Sequence, residues 1–216
     1  VVHGKGSLIQ KANADYEGKF ATLRAFFTYL MTTPGKKMLF MGCEYGQFRE
    51  WDYQNQLEWF MTDFEKHDQL QYFVAELNHF YLEHRPLWEI DFSWDGYRWI
   101  EANDREHNVI SYKRFDLQGH ELTVVINFSG TAHRGYALHT GRCDYRIVFS
   151  TEESRFGGSS RKKMLKNRNG QINLDLPALS AVILKPIIKK NNRTKIKSRS
   201  QTINPFLRIE RKCRYV

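Results

Sequence analysis

The chain has 216 residues, 41% hydrophobic and 14% aromatic, with 33 basic against 24 acidic side chains for a formal net charge of +9. This is globular composition: it excludes disordered and fibrous classes and allows one large domain or two small ones. Three cysteines without CxxC spacing indicate neither a disulfide framework nor a zinc module, and no apolar run approaches the roughly 18 residues of a membrane span, so a soluble cytoplasmic chain with no membrane partner is expected.

Asn13 or Asp15 can cap a first helix in which Tyr16, Phe20, Leu23, Phe27, Leu30 and Met31 recur at three- and four-residue steps. Pro34-Gly35 stops it. Met38–Met41 is an unbroken apolar run of the kind found in parallel strands covered on both faces. A polar and aromatic loop follows to Met61. Thr62-x-x-Glu65 then predicts a capping box opening a second amphipathic helix, with Leu70, Phe73, Val74, Leu77 and Phe80 on one face and Pro86 just past its end.

After Asp95 the period changes to two. Leu122, Val124, Ile126 and Phe128 alternate with Thr123, Val125 and Asn127, and similar alternation marks 145–149 and 172–176. With 97–101, 109–115, 135–139 and 179–184, about seven short strands are predicted, as in an antiparallel sandwich. The expected division is 1–90, α/β; 97–187, a β-sandwich able to fold independently; and 188–216, a basic disordered tail. From Lys185 onward there are 11 Lys and Arg and one acid, Glu210, which leaves 22 basic and 23 acidic residues before it. The body is neutral, so the net charge points to no nucleic-acid partner.

Generic catalytic motifs are missing. Gly4-Lys5-Gly6 starts like a dinucleotide fingerprint, but Ile9 holds the third glycine position, and no Walker lysine, HExxH or G-x-S-x-G exists, so no cofactor is expected. His79 and Glu83 stand four apart, as exposed helix pairs commonly do, and no metal is assigned to them. What remains is the loop Gly42–Asp52. Its indole Trp51 can pack on a sugar ring while the acids Glu44 and Asp52 and the amide of Gln47 accept or donate hydrogen bonds to hydroxyls. Equally, Trp51 and Trp59 can simply pack the loop, with the acids solvated.

Several segments in order carry a resemblance: Val1–Leu8 (VVHGKGSL), Phe40–Gln47 (FMGCEYGQ), Glu50-Trp51-Asp52, Leu57-Glu58-Trp59 and Arg155–Ser159 (RFGGS). Together they resemble the last part of the bacterial 1,4-α-glucan (glycogen) branching enzymes of the α-amylase superfamily. The resemblance implies the C-terminal end of a (β/α)8 TIM barrel at 1–90 followed by an all-β sandwich, with an α-glucan polysaccharide such as glycogen as partner and a monomeric parent enzyme. It also implies a retaining mechanism with an aspartate nucleophile and a glutamate acid/base. None of those catalytic residues can be placed in this sequence, and Glu44, Gln47, Trp51 and Asp52 are the candidate substrate-binding residues. A non-catalytic glucan-binding module is the alternative. The family pattern stops near Pro186, so the residues beyond it read as a natural extension or an out-of-frame read-through.

Overall fold

A computed structural model of the chain describes residues 4–159 and 163–188. The predicted basic tail, apart from residue 188, lies outside the described residues.

Helix α1 runs Tyr16–Thr32, and Asp15 is its cap, the carboxylate accepting from the Gly18 N–H at 2.8 Å. Phe20, Leu23, Phe27 and Met31 form its buried face. Thr28 and Thr32 share that face because their hydroxyls donate to the carbonyls of Arg24 and Thr28, at 2.8 and 2.6 Å, and so leave no buried donor unmatched. Helix α2 runs Glu65–Glu83. The expected capping box does not form: a 3-10 turn at Trp59–Asp63 precedes the helix, the Thr62 hydroxyl donates to the Trp59 carbonyl at 2.8 Å, and Phe64 occupies the cap position.

The apolar run Met38–Met41 is not a strand. Residues 36–40 form no helix and no ladder with any described residue, and Met38 and Met41 are exposed. A strand exists only where a neighbour takes its N–H and C=O groups, and no described residue offers one.

Eight strands follow among the described residues: β1 Tyr97–Asp104, β2 Val109–Phe115, β3 Glu121–Asn127, β4 His133–His139, β5 Asp144–Ser150, β6 Met164–Leu165, β7 Gln171–Leu176 and β8 Ser180–Ile187. Seven lie where alternation placed them, and β6 is a two-residue addition. All pairings are antiparallel: a six-stranded sheet ordered β1-β2-β3-β8-β5-β6 faces the pair β4-β7. Val125, Ile147, Val182 and Leu184 of the large sheet meet Leu138, Ile172, Leu174 and Leu176 of the small one.

The other face of the large sheet is also buried. Tyr112, Val124, Ile126, Phe149 and Ile183 share one core with Phe20, Phe27, Phe73 and Leu77 of the two helices. The order of layers is therefore helices, large sheet, small sheet. α1 and α2 find in the large sheet the apolar surface that their stripes require.

Two joints fasten the layers. Arg114 on β2 is completely buried; its Nη1 donates to the Thr32 carbonyl at 2.6 Å, Nη2 to Asp91 Oδ1 at 2.6 Å and Nε to the Gly96 carbonyl at 3.1 Å. The second joint is Arg155–Ser159. Phe156 lies edge-on to Phe73 of α2, 5.0 Å between ring centres, while Arg155 pairs with Glu76 of α2 and, at 3.0 Å, with Glu153. Gly158 passes so close to Glu152 that a Cβ would stand 2.4 Å from its backbone. The motif is thus a clasp between helix and sheet. Gly158→Ala is expected to destabilise the chain by about 1–3 kcal/mol through forced backbone displacement; an unchanged urea midpoint would contradict the clasp.

Candidate functional site

The loop from Gly42 to Glu58 is organised from its centre. Gly42 has φ +79° and accepts the Gln47 N–H at 2.8 Å, and a Cβ there would lie 2.9 Å from the Gln47 Cβ, so only glycine suits the position. Gln47 is buried. Its Oε1 accepts from the Tyr45 hydroxyl at 2.7 Å and from the Glu58 N–H at 2.9 Å, and its Nε2 donates to the Arg49 carbonyl at 2.9 Å. One side chain thereby pins three points of the loop.

Outer braces add to this. The Arg49 guanidinium donates to the Gln56 carbonyl at 2.8 Å, its backbone N–H donates to Glu58 Oε2 at 3.1 Å, and Glu50 accepts the Gly6 N–H at 3.1 Å. From α2, buried His67 donates Nδ1–H to the Tyr45 carbonyl at 2.7 Å. Sequence reading assigned no site role to Arg49, Glu58 or His67. His67 had a signal, since it falls on the apolar face of α2 with Leu70, Val74 and Leu77.

The four predicted site residues do not converge. Gln47 and half-buried Trp51 line one shallow depression with Ser7, Phe40 and Met41, and Trp51 stands edge-on to Phe40 at 5.2 Å. Glu44 and Asp52 lie outside it. Asp52 closes a tight turn by accepting the Gln54 N–H at 2.9 Å, while the Glu44 carboxylate, half exposed, makes no hydrogen bond among the described residues. Burial, reinforced by Glu44 and Glu58, pushes the Tyr45 phenol up to about 12. Burial likewise raises the thiol of Cys43, a free cysteine that stays protonated at neutral pH and is no activated nucleophile.

Bond cleavage by two carboxylates needs a pair placed across a substrate. Here Asp52 and Glu58 each hold a backbone N–H of the loop and Glu50 holds that of Gly6, so the arrangement can present an indole to a ligand while these three carboxylates serve as braces. Among the described residues no three metal-ligating groups come together, and His79 lies 3.8 Å from Glu76.

Comparison with known proteins places this geometry. Residues 99–187 match the family model of the alpha amylase C-terminal all-beta domain. The chain is 38% identical to 1,4-alpha-glucan branching enzyme GlgB of Halothermothrix orenii over 87% of this chain and 31% of that protein. The enzyme of the same name from Desulfitobacterium hafniense is 41% identical over 86% of this chain and 31% of that protein, and the one from Bacillus anthracis is 37% identical over 93% and 34%. The chain thus spans about a third of the length of the curated relatives it matches. Two solved structures share the fold: a pullulanase from Bacillus acidopullulyticus, TM-score 0.59 at 15% identity, covering 81% of this chain and 21% of that one, and the catalytic module of the glycogen-degrading pneumococcal virulence factor SpuA, TM-score 0.61 at 14% identity, covering 82% and 32%. The chain is thus similar over most of its length to about a third of these 1,4-alpha-glucan branching enzymes, and its residues 99–187 match the alpha amylase C-terminal all-beta domain.

Proposed function

We propose that the chain is the C-terminal part of a cytoplasmic, monomeric glycogen branching enzyme, which cleaves α-1,4-glucan and transfers the segment to a 6-hydroxyl of another glucan chain. The observation that carries this is the 37–41% identity to branching enzymes across 86–93% of the chain. Residues 1–90 then supply the last β/α units of a (β/α)8 barrel, and 97–187 the β domain after it. The unladdered segment at 36–40 supports the barrel, since the apolar run that begins in it has Met38 and Met41 exposed and no ladder partner among the described residues, as a parallel strand would whose neighbours lie in the rest of the enzyme. The loop after it then falls where barrel enzymes keep their active-site loops. In that setting Trp51 offers its ring to a glucosyl unit, Gln47 holds the loop in shape, and Glu44 and Asp52 are placed to meet hydroxyls. No helix among the described residues is long and apolar enough to cross a membrane.

The catalytic carboxylates belong to the part of the enzyme outside this chain, so the chain is expected to have no branching activity alone. Amylose stained with iodine should keep its absorption spectrum when incubated with the purified chain. A time-dependent spectral shift would overturn that assignment.

A further inference from the structure

The sequence contains a single Asn-Gly step, Asn169-Gly170, and it forms the tip of the turn that leads from β6 into β7. Arg168 and Gln171 close that turn: the Arg168 N–H donates to the Gln171 carbonyl at 2.8 Å, and the Gln171 N–H to the Arg168 carbonyl at 3.1 Å. A two-residue loop of this kind needs both tip residues at positive φ, which Asn169 at +54° and Gly170 at +88° supply. The same two residue types carry a chemical liability. Glycine has no side chain to shield its amide nitrogen, so that nitrogen can approach the carboxamide carbon of the preceding asparagine. The Asn169 side chain is exposed and makes no hydrogen bond among the described residues that would hold its carboxamide away.

One side chain opposes that approach. The Gly170 N–H donates to Asn167 Oδ1 at 3.0 Å. To attack, the nitrogen must give up its proton and turn toward Asn169 Cγ, and a hydrogen bond to Asn167 resists both. Asn167 is itself fixed to the segment between β4 and β5: its backbone N–H donates to Asp144 Oδ1 at 2.9 Å, and its Nδ2 donates to the Gly141 carbonyl. The Gly170 carbonyl in turn accepts the Thr140 N–H at 3.1 Å, so the turn is held from both sides of the susceptible step.

We propose that Asn169 is a self-modifying site whose rate is set by Asn167. The deprotonated Gly170 nitrogen attacks Asn169 Cγ; the N–Cγ bond forms, the Cγ–Nδ2 bond breaks, and the amide group leaves as ammonia with the proton, closing a cyclic imide. Water then opens the imide at either carbonyl, giving aspartate or isoaspartate, and no oxidant, reductant or cofactor takes part. Isoaspartate lengthens the main chain by a methylene that a two-residue loop cannot absorb. The Arg168/Gln171 closure and the Gln171/His139 register that follows it should then fail, which loosens β7, whose Ile172 and Leu174 fill the core between the sheets. The test is to incubate the whole chain in mildly alkaline buffer, following the peptide that carries residue 169 by mass spectrometry and its isoaspartate content by enzymatic methylation. Slow conversion is expected in the unaltered chain; Asn167→Ala should convert about two- to tenfold faster, while N167D, which keeps the acceptor for the Gly170 N–H, should stay within about twofold of the unaltered rate. In urea that unfolds all three, the rates should converge, because the guard exists only in the fold. N169Q should remain unconverted. Absence of conversion in both the unaltered chain and N167A overturns the proposal, as does an N167A rate equal to that of the unaltered chain. An N167D rate as high as that of N167A likewise overturns the role given to the Gly170 contact.

Discussion

A chain cut to residues 97–188 is expected to lose cooperative folding and to aggregate. Length alone says otherwise, since a β-sandwich of this size can fold unaided. The large sheet, however, has two buried faces. Without α1 and α2 it would expose Tyr112, Leu122, Val124, Ile126, Phe149 and Ile183, every one of them at most 2% exposed in the chain. Burial of each such side chain is worth about 1.5–3 kcal/mol, so the loss is on the order of 10 kcal/mol even after allowing for a compact unfolded state. That matches the whole stability of a typical domain, about 5–15 kcal/mol. The uncovered face would also form one contiguous apolar patch, which soluble monomers avoid. Size-exclusion chromatography and a thermal melt of the shortened chain decide the matter. A monomer melting cooperatively within a few degrees of the full chain would refute it.

That dependence on the helices was half visible in the residues. In β3 Leu122, Val124 and Ile126 alternate with Thr123, Val125 and Asn127, yet both sets are buried. Val125 meets the small sheet, while Asn127 survives burial because its Nδ2 donates to the carbonyls of Thr131 and Pro177 at 2.9 and 2.8 Å. β8 announces the same situation more openly, because Ala181-Val182-Ile183-Leu184 is apolar on both faces. Strand positions were legible because period-two patterning is local. The packing of α1 and α2 on the sheet was not, because an amphipathic stripe says that a helix needs a partner without saying which. The failure at Met38–Met41 has the same root, since strand character depends on neighbours elsewhere in the chain or beyond it. In the loop, residue types drew attention to Glu44, Gln47, Trp51 and Asp52, but their spacing could not separate a side chain that faces a ligand from one that holds the loop. Gln47 proves to be a brace, with three of its four side-chain hydrogen-bonding positions turned inward.

Arg114→Met is expected to cost about 3–5 kcal/mol, the penalty for removing one member of a buried ion pair. Its guanidinium satisfies three groups from three places at once: the end carbonyl of α1 at Thr32, the carboxylate of Asp91 and the carbonyl of Gly96. Methionine fills much of the volume but strands all three acceptors. Lysine keeps the charge yet places a single ammonium where a planar fork is needed, so Arg114→Lys should recover only a small part of the loss. Pairing R114M with Asp91→Asn should recover more than R114K does, because it removes the unpaired charge that dominates the penalty. Because the fork joins the helix layer, the connecting segment and β2, its loss should do more than lower the urea midpoint. The helices should release before the sheet, splitting one transition into two when tryptophan fluorescence is compared with far-ultraviolet circular dichroism. A variant that unfolds in one transition within about 0.5 kcal/mol of the parent chain, the ordinary range for surface substitutions, would show that apolar contact alone couples the layers.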